Sequence, residues 1–372
     1  MRLCIVQPSL NVASESFLKA HAERLPFHVT VVHFSNGMPC IGETPVLSQT
    51  FLPKEFRSLR RKLLKRPCTW ESDIAFTKVF REKADVVLAE YGPTGVRVSR
   101  AAKRANVPLV VHFHGYDASR YEIVEANKVS YKALFEQSAA IVAVSYKMVD
   151  DLIELGASRE KLFLNPCGVD IDVFKGARPS EDSPIFITVG RFVEKKAPYL
   201  SILAFSFVVR QCPDARLRMI GSGPLLGPCQ DIVRALGLTD SVVFLEECSH
   251  QQVVDEMSFS RAFLQHSIQA SDGDCEGTPV SVLEAQSMGL PVIGTKHAGI
   301  ADVVEHGKTG FLVDEKDVEA MAGYMLTIAK DPELAGNMGR AGRNRIQKQY
   351  SMEKSIDNLA GILQKAYLAN SV

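Results

Sequence analysis

Short apolar runs alternate with helix-type patterns along almost the whole chain, and this alternation constrains the fold more than any other feature. Strands are predicted in the first half at residues 2–7, 27–34, 85–90, 108–113 and 140–144. Helices are predicted in the same half at residues 15–23, 72–83, 94–105, 125–138 and 145–155. Strands that alternate with helices predict a parallel sheet covered on both faces, and ligands bind such sheets beyond the carboxyl ends of the strands.

The second half repeats the alternation without repeating the sequence. Its strands are predicted at residues 184–189, 216–220, 241–245, 262–265, 291–293 and 311–313. Its helices are predicted at residues 197–211, 225–236, 251–258, 279–288, 320–329 and 332–349. A polar, turn-rich segment at residues 175–183 separates the halves, as a linker would. We therefore predict two doubly wound α/β domains, residues 1–176 and 177–350, followed by a last amphipathic helix at residues 351–368.

Composition narrows the possible functions. A chain of 372 residues with 46% hydrophobic residues can bury the cores of two domains. The 43 basic residues balance the 43 acidic ones, so no net charge directs the protein to nucleic acid. The eight cysteines are scattered without a C-x-x-C pair, which favours reduced thiols in a cytosolic protein. No run reaches transmembrane length, and the first ten residues are too short and strand-like for a signal peptide.

The stretch from Asp272 to Pro291, DGDCEGTPVSVLEAQSMGLP, predicts a loop, a helix and the start of a strand. We predict Thr278 as the N-cap and Pro279 as the first helical residue. Gly289 is expected to end the helix.

Two glutamates of this stretch have seven residues between them: Glu276 on the loop and Glu284 inside the helix. Unpaired backbone N–H groups near Gly277 and Thr278, together with the helix dipole, favour an anion. The Glu284 side chain can lean back toward the same end of the helix. Such a pocket offers N–H groups to a phosphate and carboxylates to hydroxyls, as a sugar nucleotide requires. The alternative is an ordinary loop–helix–strand unit with solvated glutamates.

The sequences EGTPVSVLEAQSMGLPVI and HAGIADVVEHGKTGFLV in this region resemble the signature of retaining glycosyltransferases of family four, which have the GT-B fold. The resemblance implies a donor-binding second domain, an acceptor-binding first domain and a reaction in the cleft. It also implies that residues 351–372 pack back on the first domain.

The resemblance assigns roles to the residues of the signature. Glu284 is expected to hold ribose hydroxyls, and Glu276 to hold the donor sugar and orient its anomeric carbon. Backbone N–H groups near the helix start are expected to stabilise the leaving diphosphate, and the donor site there comprises Gly277, Thr278, Pro279 and Val280.

A second matching motif follows the first strand of the second half. The family has an Arg and, five residues later, a Lys that hold the donor diphosphate, and Arg191 and Lys196 match them. Cations at this place would stabilise a departing nucleoside diphosphate. An ordinary basic helix cap is the alternative.

A glycine-rich turn, GSGPLLG at residues 221–227, superficially suits a dinucleotide fingerprint, with Glu246 at the distance of a ribose contact. The family has a similar turn lining its donor cleft, so we interpret Gly223 and Glu246 as neighbours of the nucleotide. Nothing here distinguishes uracil, guanine or adenine.

Two segments of the first half follow predicted strands. The loop Ser14-Glu15-Ser16-Phe17 resembles the SETF-type loop of family members that build bacterial surface polysaccharides, and we predict that it faces the acceptor. The alternative is a helix cap by Ser14 with Phe17 in the core.

The second segment is VVHFHGYDAS. His112 and His114 face the same side of an extended strand, and Gly115 and Asp117 then form a turn. A His-x-His pair could bind metal, but the sequence offers no convincing set of further ligands. In the family, the histidine that matches His114 lies at the donor sugar; a satisfied core histidine is the alternative. We expect His112 to be structural and Asp117 to lie on the acceptor side.

A basic segment runs from Lys54 to Arg66, with seven basic residues and one acid. Its apolar residues fall near one helical face. The segment is either a surface helix of its own domain or a contact for an anionic membrane or a lipid-diphosphate acceptor.

The resemblance implies a retaining glycosyltransferase that moves a sugar from a nucleotide-diphosphate sugar to a glycan or lipid-linked acceptor. The donor half shows no evident Asp-x-Asp metal motif, since Asp272 and Asp274 match the family's DGD-like loop, so we predict activity without cofactor or metal. Same-face transfer and covalent attack by Glu276 both stay open. The setting would be surface polysaccharide or glycolipid assembly in the cytoplasm, on the inner face of a bacterial membrane. A GT-B sugar-nucleotide epimerase and a non-catalytic sugar-nucleotide-binding protein are the alternative functions.

Overall fold

The computed structural model describes residues 1–9, 16–35, 38–46, 69–177, 184–246 and 248–370. By internal contacts the chain divides into two units. Unit 1 comprises Met1–Val144, Met148–Asn165 and Ile356–Val372, and unit 2 comprises Ser145–Lys147 and Pro166–Ser355. The domain boundary predicted near Ala177 stays a prediction, as does the assignment of residues 351–372.

Unit 1 contains an eight-stranded sheet in the order β4-β3-β2-β1-β5-β6-β7-β8. Its strands are β1 (Arg2–Gln7), β2 (His28–Ser35), β3 (Met38–Ile41), β4 (Thr44–Pro45), β5 (Val86–Glu90), β6 (Leu109–His112), β7 (Ala140–Ala143) and β8 (Leu162–Leu164). The six strands from β2 through β1 to β8 pair parallel with their neighbours. At one edge, β3 pairs antiparallel with both β2 and β4. The central strand β5 is buried along its whole length, as a parallel strand covered on both faces should be.

Helices connect these strands. They are α1 (Ser16–Arg24), α2 (Thr69–Lys83), α3 (Gly92–Ala105), α4 (Tyr116–Ser119), α5 (Tyr121–Gln137) and α6 (Tyr146–Glu154). Asn106 in the left-handed conformation ends α3 by donating its N–H to carbonyls of the last turn, an ordinary C-terminal cap.

Unit 2 contains a six-stranded parallel sheet in the order β11-β10-β9-β12-β13-β14. Its strands are β9 (Ile185–Val189), β10 (Arg216–Ile220), β11 (Val242–Leu245), β12 (Ala262–Gln265), β13 (Val292–Thr295) and β14 (Gly310–Val313). Its helices are α7 (Pro198–Gln211), α8 (Leu226–Ala235), α9 (His250–Ser258), α10 (Val280–Met288), α11 (Ala298–Val303), α12 (Val318–Lys330), α13 (Pro332–Gln349) and the first turn of α14 (Met352–Asn370). The strand order reverses between β9 and β12, which is where doubly wound sheets bind ligands.

Apart from the basic segment at residues 54–66, every strand and helix predicted above is present among the described residues, with ends that move by a few positions. The sequence analysis missed β3, β4 and β8, which have only two to four residues. It also missed the short helices α4 and α11. Elements this short carry too few side chains to show a period.

Some predictions lie outside the described residues: the roles of Ser14 and Glu15, and the basic segment from Lys54 to Arg66. Among the helices that the structure does describe, none is long and apolar enough to cross a membrane.

Candidate functional site

A pocket of unit 2 lies where β9 and β12 end, at the reversal of the strand order. Its lining includes Gly190, Arg191, Lys196, Gln265 and His266. Both residues of the predicted Arg–Lys motif therefore face one pocket. Arg191 is exposed on the loop after β9, and Lys196 lies on the 3₁₀ turn Glu194–Lys196. Two cations in a concave site favour an anionic ligand.

The Glu276 carboxylate lies beside this pocket, and one of its oxygens has three polar neighbours. Its Oε1 lies 3.0 Å from the Lys196 Nζ, accepts the Ser267 hydroxyl at 3.0 Å, and lies 3.4 Å from the Gln265 amide nitrogen. Burial opposes ionisation of Glu276, but the charges of Lys196 and Lys195 outweigh it and lower its pKa to about 2. Glu276 is therefore an anion held in one orientation.

Glu284, in α10, has the opposite electrostatic character. Burial raises the pKa of its carboxyl to about 7, and Lys196 opposes the rise. The residue nevertheless keeps part of its surface exposed. Around its pKa of about 7 the Glu284 carboxyl is partly protonated and can also donate a hydrogen bond, whereas the Glu276 carboxylate only accepts.

The N-terminus of α10 begins one residue later than predicted. Pro279 is the N-cap, without a side-chain cap bond, and Val280 is the first helical residue, so the prediction of Thr278 as N-cap is wrong. The Thr278 hydroxyl instead accepts the Cys167 N–H at 3.3 Å. Since the first N–H groups of a helix have no partner within it, this end can still bind an anion.

The loop that carries Glu276 is bound to the turn that carries Lys196 through the two residues before Lys196. Lys195 donates to the Asp274 carboxylate at 3.0 Å and to the Cys275 carbonyl at 3.2 Å. Glu194 accepts both the N–H and the hydroxyl of Ser271 at 2.8 Å. The sequence analysis missed Lys195 because two adjacent lysines look alike without geometry.

His297 fixes the same loop from its other side. Its Nε2 accepts the Glu276 N–H at 3.2 Å, and its Nδ1 lies 2.6 Å from a Glu315 carboxylate oxygen. These contacts define the neutral tautomer with the proton on Nδ1. Close packing continues at Gly299, where an added Cβ would lie 2.0 Å from the Gly277 carbonyl oxygen. Sequence reasoning found this HAGI segment but not the role of its histidine.

The glycine turn after β10 packs on the backbone that follows Arg191. Phe192 donates its N–H to the Ser222 carbonyl at 2.8 Å, and a Cβ on Gly223 would lie 2.6 Å from the Phe192 carbonyl oxygen. Glycine is needed here because Gly223 also has a φ of +150°. Glu246 is exposed beyond β11 and is not among the described residues that line the pocket.

Unit 1 holds a second cluster, at the carboxyl ends of β5 and β6. The buried Glu90 carboxylate lies 2.7 Å from His21 Nδ1 and 2.7 Å from His114 Nε2, and His112 Nδ1 is 3.8 Å away. Sequence analysis missed Glu90 and His21. The one available signal was a charged residue at the end of an apolar strand, VVLAE.

This cluster changes two expectations about the histidine pair. β6 ends at His112, so His114 lies beyond the strand and not on it, although both rings reach Glu90. The sequence alone offers no convincing further ligands for the pair, but the fold brings candidates close to His112. Ligand atoms of His21, Glu90 and His112 all lie within 4.8 Å of one another.

The neighbours of His114 include two other predicted residues. Asp117 is fully buried and accepts the N–H groups of His114, Gly115 and Gly92 at 2.9–3.0 Å. It therefore shapes the loop, and burial raises the pKa of its carboxyl. Phe17 stacks on the His114 ring at 4.3 Å between centroids, and Ser16 begins α1 next to it. The roles of His114, Ser16 and Asp117 toward a substrate stay predictions.

Comparison with known proteins identifies the class. The Glycosyltransferase Family 4 model matches residues 17–173, and the Glycosyl transferases group 1 model matches residues 170–345. WcaL of Escherichia coli K12, named as a colanic acid biosynthesis glycosyltransferase, is 30% identical over 289 residues, 76% of this chain and 71% of its own. AmsK of Erwinia amylovora, an amylovoran biosynthesis glycosyltransferase, is 28% identical over 286 residues, 76% and 70% of the two chains.

Solved structures define the fold. Anabaena Alr3699/HepE in complex with UDP has a TM-score of 0.78 at 17% identity, covering 98% of this chain and 100% of its own. Sucrose-phosphate synthase from Thermosynechococcus elongatus has a TM-score of 0.77 at 19% identity, covering 99% of each chain. The fold is GT-B, as the resemblance implied. The chain belongs to glycosyltransferase family 4, and it is a glycosyltransferase.

Proposed function

We propose that this chain is a retaining, metal-independent glycosyltransferase that uses a nucleotide-diphosphate sugar in the assembly of a surface polysaccharide or glycolipid. The relatives named for colanic acid and amylovoran biosynthesis support this setting, and the HepE complex with UDP supports a nucleotide donor. The observation that carries the proposal is the ion pair of Lys196 with Glu276 beside a pocket at the carboxyl ends of β9 and β12.

The donor diphosphate is assigned to the cationic part of this pocket. Arg191 and Lys196 neutralise its charge, and N–H groups at the start of α10 bind its oxygens. These groups gain most when negative charge develops on the leaving diphosphate, so they stabilise the transition state more than the ground state. With this charge compensation supplied by side chains and backbone, we propose that transfer needs no metal.

The two glutamates are assigned to the sugars of the donor. Glu276, held as an anion by Lys196 and Ser267, accepts hydroxyls of the transferred sugar and orients its anomeric carbon. Glu284 binds the ribose hydroxyls, where a carboxyl with a pKa of about 7 can both accept and donate.

Retention of anomeric configuration is proposed to follow the same-face path. An oxygen of the leaving diphosphate accepts the acceptor's proton, the C1–O bond to phosphate breaks, and the acceptor oxygen bonds to C1 on the same face. Glu276 is a poorer candidate for covalent attack. Lys196, Ser267 and Gln265 all lie within 3.4 Å of its Oε1, and these contacts stabilise the negative charge that a nucleophile would use. Isolation of a glycosylated Glu276 would contradict this path.

The first test is thermal stabilisation by a panel of nucleoside diphosphates in the presence of a chelator. Wild type is compared with Glu284→Ala and with Glu319→Ala, which removes an exposed carboxylate elsewhere in unit 2. We expect one nucleotide to raise the Tm of wild type and of the Glu319 variant and not of the Glu284 variant. No shift with any nucleotide for the folded wild-type protein would overturn the donor-site assignment.

Product analysis then separates the enzyme classes. A glycosylated acceptor with free nucleoside diphosphate supports the transferase, and an isomerised sugar nucleotide would indicate an epimerase. Activity abolished by chelator would contradict metal independence.

Contact of the segment from Lys54 to Arg66 with anionic membrane is tested by charge reversal of Arg57, Arg60 and Arg61. Unchanged liposome binding would count against that contact.

A further inference from the structure

Glu90 is an acidic side chain with no solvent exposure, and among the described residues its ion-pair partners are all histidines. Burial opposes its ionisation, but His21 and His114 outweigh burial and hold the pKa of Glu90 well below its usual range. A buried carboxylate is retained only where hydrogen bonds and positive charge offset the loss of water. Glu90 therefore depends on its histidine partners to stay ionised, and these histidines depend on Glu90 as their hydrogen-bond acceptor.

Each carboxylate oxygen takes one imidazole. Oε1 is 2.7 Å from His21 Nδ1, and Oε2 is 2.7 Å from His114 Nε2. Since an ionised carboxylate only accepts, both of these ring nitrogens carry a proton. In a neutral His114 the other nitrogen, Nδ1, is then the acceptor. The contact therefore selects one of the two tautomers of His114.

Packing restricts the His114 ring further. Phe17 stacks on it at 4.3 Å, Tyr91 meets it edge-on at 4.8 Å, and His112 lies 4.2 Å away between centroids. The His114 backbone N–H is held by Asp117 at 3.0 Å. The neighbouring rings restrain the plane of the His114 ring, and Asp117 restrains its backbone. The ring could still flip between two orientations, and the hydrogen bond to Glu90 selects one of them.

We propose that Glu90 and His21 are positioning residues for His114: Glu90 holds the ring with Nε2–H toward the carboxylate, and His21 keeps Glu90 in place. This inference rests on the proposed function and on the role that the family resemblance gives His114, at the donor sugar. An Nδ1 acceptor suits a sugar hydroxyl, which is a hydrogen-bond donor. Neither Glu90 nor His21 needs to touch the substrate, because both act through His114.

The same cluster could instead bind a metal ion, since His21, Glu90 and His112 have suitable ligand atoms within 4.8 Å of one another. The distances favour hydrogen bonds. Two ligands at about 2.0–2.1 Å from one tetrahedral Zn²⁺ lie about 3.3 Å apart. The His21 to Glu90 separation is 2.7 Å, an ordinary hydrogen-bond length.

The first experiment reads the tautomer directly and needs no substrate. Protein labelled with ¹⁵N-histidine is studied by NMR, with the His114 signal assigned by its loss in His114→Gln. We expect the Nε2–H tautomer of His114 in wild type and a changed tautomer at His114 or at His21 in Glu90→Gln, because the side-chain NH2 that replaces one carboxylate oxygen donates and cannot accept. An Nδ1–H or a doubly protonated His114 ring in wild type, or unchanged His114 and His21 signals in Glu90→Gln, would overturn the proposal.

The second experiment measures release of nucleoside diphosphate from the sugar nucleotide selected by the thermal panel. We expect Glu90→Gln to lower kcat by about 10- to 100-fold, since small misplacements of a substrate-contacting group cost this much. Binding of the nucleoside diphosphate, assigned to unit 2, should not change. His21→Gln, which still donates to Glu90, should keep most activity, and His21→Leu should not. His28→Gln, an exposed histidine of unit 1, is the control.

The outcomes separate this inference from the proposed function. A wild-type protein that binds no nucleoside diphosphate refutes the proposed function, while the tautomer measurement still decides the local geometry. A wild-type enzyme that works equally well with Gln at position 90 refutes the positioning role alone. Stoichiometric metal in elemental analysis of purified wild type also refutes it and assigns the cluster to an ion. If Glu90→Gln melts far below wild type, His21→Gln against His21→Leu decides instead.

Discussion

Replacement of Glu284 by glutamine should stabilise the ligand-free protein at alkaline pH. The structure raises the pKa of this carboxyl from 4.5 to about 7, so the folded state holds a proton that the unfolded state has lost. The free energy of unfolding therefore falls as the pH rises from the unfolded-state pKa to the folded-state pKa, and the full loss of stability is present above about pH 7. The difference corresponds to about 3 kcal/mol at 1.4 kcal/mol per pKa unit. Since part of Glu284 remains exposed, about 2 kcal/mol is the expected gain.

The assay is urea or thermal unfolding of wild type and Glu284→Gln at pH 5 and pH 8 without ligand. We expect the variant to be more stable than wild type at pH 8 and close to it at pH 5, while nucleotide stabilisation is lost. Glu319→Gln, a change of an exposed carboxylate in unit 2, controls for net charge. A Glu284 variant with the same difference from wild type at both pH values would refute the reasoning about burial.

Three further predictions concern the loop that holds Glu276. Lys195→Met should lower kcat by about 10-fold or more, and Lys195→Arg should restore part of it, because the cation ties this loop to the Lys196 turn; steady-state kinetics with unchanged nucleotide affinity is the check. Ser267→Ala removes a donor at 3.0 Å and should raise the pKa of Glu276, seen as a shift of the acid limb of the pH–rate profile to higher pH. Gly299→Ala should destabilise by about 2 kcal/mol or more because its Cβ would meet a carbonyl at 2.0 Å, whereas Gly323→Ala, with open space, should not lower the Tm.

Sequence reasoning succeeded where the signal is local. The continuous apolar run of β5 and the glycine that ends α10 are both visible in consecutive residues. It failed where the partner is distant in sequence. Glu90 meets His21 across 69 positions, and Glu276 meets His297 across 21, so no spacing rule connects them. The N-cap of α10 was misplaced by one residue because both Thr278 and Pro279 suit the start of a helix.

The electrostatic dependence of Glu90 on His21 and His114 has a consequence for how the family can diverge. Loss of either histidine leaves a negative charge buried, and loss of the acid leaves two ring N–H groups without an acceptor. Single substitutions at these positions are thus selected against, and the three should be inherited as a block. Among homologous sequences we expect them to occur together or to be exchanged together, even though they lie on α1, on β5 and on the loop after β6.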